Sequence, residues 1–141
     1  MDRSKTSAKA HGASRAPILV LAQPSVETDD LLEPLVRRAD LILLRVADIN
    51  SAELALRDVA VSLVLVCPET DFDSVTELLD RTNRLRPGTP VLALRPRSGS
   101  LAPEWKGRTI GVLRCPILPD VLSRTVDVAL GLTARPRAKT K

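Results

Sequence analysis

A chain of 141 residues with a formal net charge of +4 has room for one domain and hardly for two. Hydrophobic residues make up 44% of it, yet Phe72 and Trp105 are its only aromatics, so the core must be built of Leu, Val, Ile and Ala. No apolar run approaches the roughly 18 residues that a membrane span needs, and no stretch of signal-peptide form follows the N-terminal segment, so an unprocessed cytoplasmic protein is expected.

The charge is unevenly placed. Residues 1–15 carry Arg3, Lys5, Lys9 and Arg15 against Asp2, and residues 133–141 carry Arg135, Arg137, Lys139 and Lys141 with no acid. The chain's +4 less the +7 of these two tails leaves −3 for residues 16–132. Both tails are poor in large apolar side chains and cannot bury enough surface to offset the entropy of ordering, so they are expected to be disordered around one domain of residues 16–132.

Residues 18–21 (Ile-Leu-Val-Leu), bounded by Pro17 and Pro24, read as a first strand. Residues 28–38 follow as a helix with Leu31, Leu32, Leu35 and Val36 on its apolar face. Asp29 and Asp30 stand where a helix start favours acids, Arg37 and Arg38 where its end favours bases. Pro34 has to lie in the first turn, or the helix begins late or kinks there. Residues 41–44 are the second strand. A short helix over 51–59 takes Asn50 or Ser51 as its cap. Residues 62–66 (Ser-Leu-Val-Leu-Val) are the most apolar strand and belong at the centre of the sheet. A third helix, capped by Asp73 or Ser74, turns Val75, Leu78, Leu79 and Leu85 inward and stops at Pro87-Gly88.

Residues 91–94 are the fourth strand. Residues 95–108 contain Pro96, Gly99, Pro103 and Gly107 and permit only a turn or two of helix near 101–106. Residues 110–113 are the fifth strand. The last helix, 119–132, has Pro119 in its first turn and a buried stripe of Val121, Leu122, Val126 and Leu130. Five βα units with a weakened fourth helix predict an α/β domain, a doubly wound five-stranded parallel sheet of flavodoxin-like order 2-1-3-4-5, with any site at the carboxyl ends of strands 1 and 3.

Those strand ends carry Ala22 and Gln23, Cys67, Arg95, and Arg114 with Cys115. There the chain resembles the receiver domains of bacterial response regulators, over about residues 16–132. The resemblance rests on the runs 18–23 (ILVLAQ), 62–68 (SLVLVCP), 86–94 (RPGTPVLAL) and 111–117 (GVLRCPI), the Gly-Val-Leu-Arg-x-Pro segment being the most specific. It implies that the acidic pair which binds Mg²⁺ in receivers is matched by Ala22 and Gln23. The phosphoacceptor aspartate is matched by Cys67, the Ser or Thr of strand 4 by Arg95, and the lysine of strand 5 by Cys115. It also implies a cis peptide bond before Pro116. A hard cation wants oxygen ligands that these side chains do not supply, so the resemblance is to a degenerate receiver, a pseudo-receiver without metal or cofactor. Asp71 and Asp73 lie a few residues beyond Cys67, where capping of the third helix is their ordinary role.

Two cysteines make no disulfide framework. Each ends an apolar run directly before a proline and reads as a small buried thiol. In the receiver alignment both face one pocket from strands 3 and 5. With neighbouring strands about 4.8 Å apart, their Cα atoms would lie about 9–10 Å from each other, beyond the roughly 7 Å reach of a disulfide. A metal site lacks further ligands, since His11, the only histidine, is in the N-terminal tail. Arg95 or Arg114 nearby would lower a thiol pKa and leave a redox role open. No histidine base, Gly-rich dinucleotide loop or phosphate-loop lysine motif occurs in residues 16–132, so an enzyme is not expected.

Function then falls to surfaces. The favoured expectation is a stand-alone, non-catalytic signalling or regulatory module that binds a regulatory or signalling protein, with a second copy of itself as a further candidate partner. The resemblance implies an output face made by the fourth helix, fifth strand and fifth helix. An exposed Trp105 beside Lys106 and Arg108 would suit an interaction hot spot; alternatively Trp105 covers the sheet where a full helix would otherwise pack. For the tails three readings stand: solvated ends, salt-sensitive contact with nucleic-acid phosphates, or docking on an acidic surface. A membrane anchor is disfavoured by their lack of large apolar residues.

Overall fold

The computed structural model describes residues 15–96 and 111–134. Its elements, in chain order, are β1 (Ala16–Leu21), α1 (Val26–Val36), β2 (Leu41–Val46), α2 (Ile49–Asp58), β3 (Leu63–Val66), α3 (Phe72–Leu85), β4 (Val91–Arg95), β5 (Gly111–Arg114) and α4 (Pro119–Ala134). The strands form one parallel sheet of order β2-β1-β3-β4-β5, which is the order expected from the sequence. The segment in which a weakened helix was expected lies between β4 and β5, outside the described residues.

The pleat divides the core in two. Ile18, Val20, Leu63, Leu65, Leu92 and Leu94 face α1 and α4, where they meet Leu32, Leu35, Leu122, Val126 and Ala129. Leu19, Leu21, Val64, Val66 and Val91 face the other way, onto Ala52 and Leu56 of α2 and Val75, Leu78 and Leu79 of α3. A strand buried on both faces has no polar position to alternate with, which is why β1, β3 and β4 read as unbroken aliphatic runs. The edge strands β2 and β5 are only partly covered.

The helix starts depart from the sequence reading in one direction. Each of the first three begins two or three residues early, on Ser25, Asp48 and Asp71. The Ser25 hydroxyl accepts from the Thr28 N–H at 3.0 Å, and the Asp48 carboxylate from the Ser51 N–H at 2.7 Å. Asp71 takes the Ser74 N–H at 3.3 Å and the Ser74 hydroxyl at 2.7 Å. Asn50, Ser51, Asp73 and Ser74 therefore lie inside helices instead of capping them. Pro34 falls in the last turn of α1, not the first; only two helical residues follow it, so its missing N–H costs the helix little. Two apolar residues assigned to buried stripes point outward, Val36 at 59% exposure and Val121 at 39%, while Ala129 takes a core position on α4. After α3, Pro87-Gly88 forms a turn closed by the Thr89 N–H on the Arg86 carbonyl at 3.1 Å, with Gly88 at a φ of 91° that suits glycine.

Polar ties hold the helices to one another. Arg38, just past α1, pairs with Asp40 and with Asp127 of α4, each at 2.7 Å, and donates to the Ser123 hydroxyl at 3.0 Å. On the opposite face Glu53 of α2 holds Arg81 of α3 at 2.5 Å. In urea unfolding, Leu65→Ala should cost about 2–5 kcal/mol as a buried truncation at the sheet centre. Asp71→Ala should lower the urea midpoint, as a lost cap does. Val36→Ala and Val121→Ala should stay within about 0.5 kcal/mol, as outward-facing positions do.

Candidate functional site

The five residues singled out from the sequence, Ala22, Gln23, Cys67, Arg95 and Cys115, stand together at the carboxyl edge of the sheet, where β1 to β5 give way to their loops. The backbone brings them there directly. The Cys67 N–H donates to the Leu21 carbonyl at 3.0 Å, the Ala22 N–H to the Val46 carbonyl at 2.9 Å, and the Cys115 N–H to the Arg95 carbonyl at 2.8 Å. The peptide bond between Cys115 and Pro116 is cis, as expected.

Their side chains do different things. Ala22 and Cys67 continue the core that faces α1 and α4, and Cys67 is wholly inaccessible. Gln23 is exposed and turns toward the β2–α2 loop, where its amide N–H donates to the Ala47 carbonyl at 2.8 Å. Its own backbone N–H is taken at 2.6 Å by the carboxylate of Glu69, from the β3–α3 loop. Arg95 is 5% exposed; its guanidinium reaches sideways and donates to the Thr70 carbonyl at 2.8 Å. Arg114 does the same one strand over, onto the Pro96 carbonyl at 3.0 Å. A continuous set of side-chain hydrogen bonds thus ties the loops after β1, β2, β3 and β4 to each other. Glu69, the acidic member of this set, went unremarked in the sequence, because nothing local marks a glutamate as the partner of a backbone N–H 46 residues away.

The two thiols part company. Cys115 lines a cavity of about 1000 Å³ at this edge, together with Gln23, Glu69 and the start of α1; Cys67 does not reach it. The expectation that both face one pocket therefore fails, because the β3 end turns the Cys67 side chain into the core. Both cysteines are free. Burial, assisted by the negative charge of Glu69, pushes the Cys67 thiol up to about 12, and the same two causes raise Cys115. The expected lowering by Arg95 or Arg114 is not what prevails: both are turned to backbone carbonyls, and desolvation outweighs the lowering of Cys67 by Arg45. A thiol held neutral at pH 7 is a poor nucleophile. Nor do these side chains suit a hard cation, since that of Ala22 has no oxygen, Gln23 brings only a neutral amide whose N–H donates to Ala47, and Cys67 is enclosed. Trp105, Lys106 and Arg108, the other candidates, lie outside the described residues, as do residues 1–14 and 135–141 of the tails; residues 133–134, expected in the C-terminal tail, instead end α4.

Comparison with solved structures gives the class of the fold. A signal receiver domain from Vibrio parahaemolyticus superimposes with a TM-score of 0.70 at 18% identity, covering 82% of this chain and 90% of that one. The chemotaxis response regulator CheY4 of Vibrio cholerae gives 0.63 at 17% identity, over 82% of this chain and 98% of that one. A structure described as adenylate cyclase from Rhodopirellula baltica gives 0.72 at 15%, over 84% and 90%. The chain therefore has the CheY-like, flavodoxin-type fold of response-regulator receiver domains, five parallel strands in the order 2-1-3-4-5. No protein-family model matches the sequence, and no curated protein is significantly similar to it.

The thiol environments predict both reactivity and a pH effect. N-Ethylmaleimide at pH 8 should modify Cys115 and leave Cys67 untouched until the protein unfolds, as read by intact mass. Because the folded Cys67 thiol ionises near 12 and an unfolded one near 9, the unfolded state loses its proton first. The stability this thiol contributes is complete below pH 9 and is lost as pH rises toward 12. Urea unfolding between pH 8 and 11 should show a shallower decline in Cys67→Ala than in the parent.

Proposed function

We propose that this chain is a receiver-like signalling or regulatory module that is non-catalytic and acts by binding a protein partner, independently of aspartyl phosphorylation. The observation that carries the reading is Cys67. It occupies the end of β3, where receivers keep the aspartate that accepts phosphate, and it is a neutral thiol sealed in aliphatic core. Phosphoryl transfer to a receiver needs an accessible carboxylate and a metal-binding acidic pair beside it. Here the pair is matched by an alanine that packs inward and a glutamine committed to the neighbouring loop.

The hydrogen bonds at the carboxyl edge support the same reading. Receivers respond when a new phosphoryl group repositions the loops and side chains around it. In this chain those loops are already tied by Gln23, Glu69, Arg95 and Arg114. A loop held by several side-chain bonds in the resting protein has little left to gain from a modification. The work of the module then lies in its surfaces, which present one arrangement to whatever binds them.

The test is phosphodonor chemistry joined to partner capture. The full chain incubated with acetyl phosphate and Mg²⁺ should incorporate no phosphate, and affinity capture from its native cell should recover the same partner with and without prior phosphodonor treatment. Mg²⁺-dependent incorporation that hydroxylamine releases, the mark of an acyl phosphate, would overturn the reading.

A further inference from the structure

The cavity of about 1000 Å³ lies at the carboxyl ends of β1 and β3, where the sheet order reverses and where open α/β sheets hold their ligands. Its volume is at the upper end of what drug-sized molecules occupy, about 300–1000 Å³. Its apolar wall comes from four separate segments: Leu31 of α1, Pro68 after β3, Pro96 after β4, and Pro116 with Ile117 after β5. Three of these five are prolines, whose fixed rings lose little conformational freedom when a ligand settles against them.

Among the described residues the charge of the lining is one-sided. Glu27 and Asp30 of α1 and Glu69 of the β3–α3 loop line the cavity, and no Lys or Arg among the described residues does. The nearby arginines are engaged elsewhere, Arg45 on Asp29 at 2.9 Å, Arg95 on the Thr70 carbonyl and Arg114 on the Pro96 carbonyl. Glu27 and Asp30 form no ion pair among the described residues, so their charges remain available to an incoming group. Such a lining repels a phosphate, a nucleotide or a carboxylic acid and attracts a cation.

We infer that this cavity binds a small organic cation, an apolar ring system that carries an amine. The ring system lies against Leu31, the prolines and Ile117. The amine faces Glu27 and Asp30. The inference goes beyond the function proposed above and does not rest on it, since the cavity and its charges are the same whether or not the protein takes up phosphate.

Cys115 supplies the reporter, because it lines the cavity while Cys67 is enclosed. The full chain is treated with N-ethylmaleimide in the presence of N-(1-naphthyl)ethylenediamine, a cation, or of 1-naphthalenesulfonate, an anion with the same rings. The amine should slow Cys115 alkylation saturably by about tenfold, and the sulfonate should not. Replacing Glu27→Gln and Asp30→Asn together should weaken protection by the amine by about tenfold, as expected for two lost charges near a surface. Ile117→Trp, which projects an indole from the apolar wall into the space the rings would occupy, should weaken protection. Glu27 and Asp30 are exposed, so the double variant keeps the test decisive even where Ile117→Trp fails to fold. Equal protection by both compounds, protection by neither, or protection by the amine that survives loss of both carboxylates overturns the inference.

Discussion

Burial of β3 on both of its faces is the constraint on which the rest of the molecule depends. Leu63, Val64, Leu65 and Val66 are each inaccessible to solvent, so the sheet needs cover on both sides, and a parallel connection returning across it provides that cover with a helix. The alternate side chains of β1, β3 and β4 are sorted between α1 with α4 on one face and α2 with α3 on the other. With no Tyr and only Phe72 and Trp105 as aromatics, aliphatic interdigitation does this work. Once both faces are closed, the open part of the molecule is its edges. Because all the strands are parallel, the carboxyl edge collects the ends of every one of them, and chemistry or recognition concentrates there.

What gathers at that edge is order made from backbone and neutral groups more than from paired charges. Helix caps Ser25, Asp48 and Asp71 satisfy the first turns of α1, α2 and α3, while Gln23, Arg95 and Arg114 each donate to a loop carbonyl. A guanidinium that donates to a carbonyl from a largely buried position orders the loop it touches. Burial and the like charge of Arg114 lower the Arg95 pKa, against the opposing charge of Asp71. The arrangement differs in kind from a cluster of carboxylates around a metal, which holds loops only while the ion is bound.

The strands were legible because a doubly buried strand leaves a continuous aliphatic signature, and the sheet order followed from their alternation with helices. The helix starts were less so. Reading started the second and third helices beside the first fully inward apolar residue, Ala52 or Val75, whereas the first turns hold Ile49 and Phe72, which only partly bury against the core, and α1 opens on the exposed Val26. Val36 and Val121 were misplaced because each stands next to a buried leucine, Leu35 or Leu122, and adjacent helical positions point about 100° apart. The members of the site could be named, since strand ends are local features. Their partners could not. The contact of Gln23 with Glu69 spans 46 residues and that of Arg95 with Thr70 spans 25, and neither leaves a trace in sequence spacing. Free cysteines before prolines were readable as buried thiols, but which of them enters the cavity depends on the turn of the chain beyond β3.

The hydrogen bond between the Glu69 carboxylate and the Gln23 backbone N–H has a consequence for how such a module would be governed in the proposed reading. A switch stores information in its chemical state and must be written and erased by other enzymes. A protein whose loops are fastened by its own side chains carries no such mark, and its abundance becomes a variable the cell can set. Its signal would be set at synthesis and cleared at degradation, on the timescale of gene expression instead of that of phosphoryl exchange.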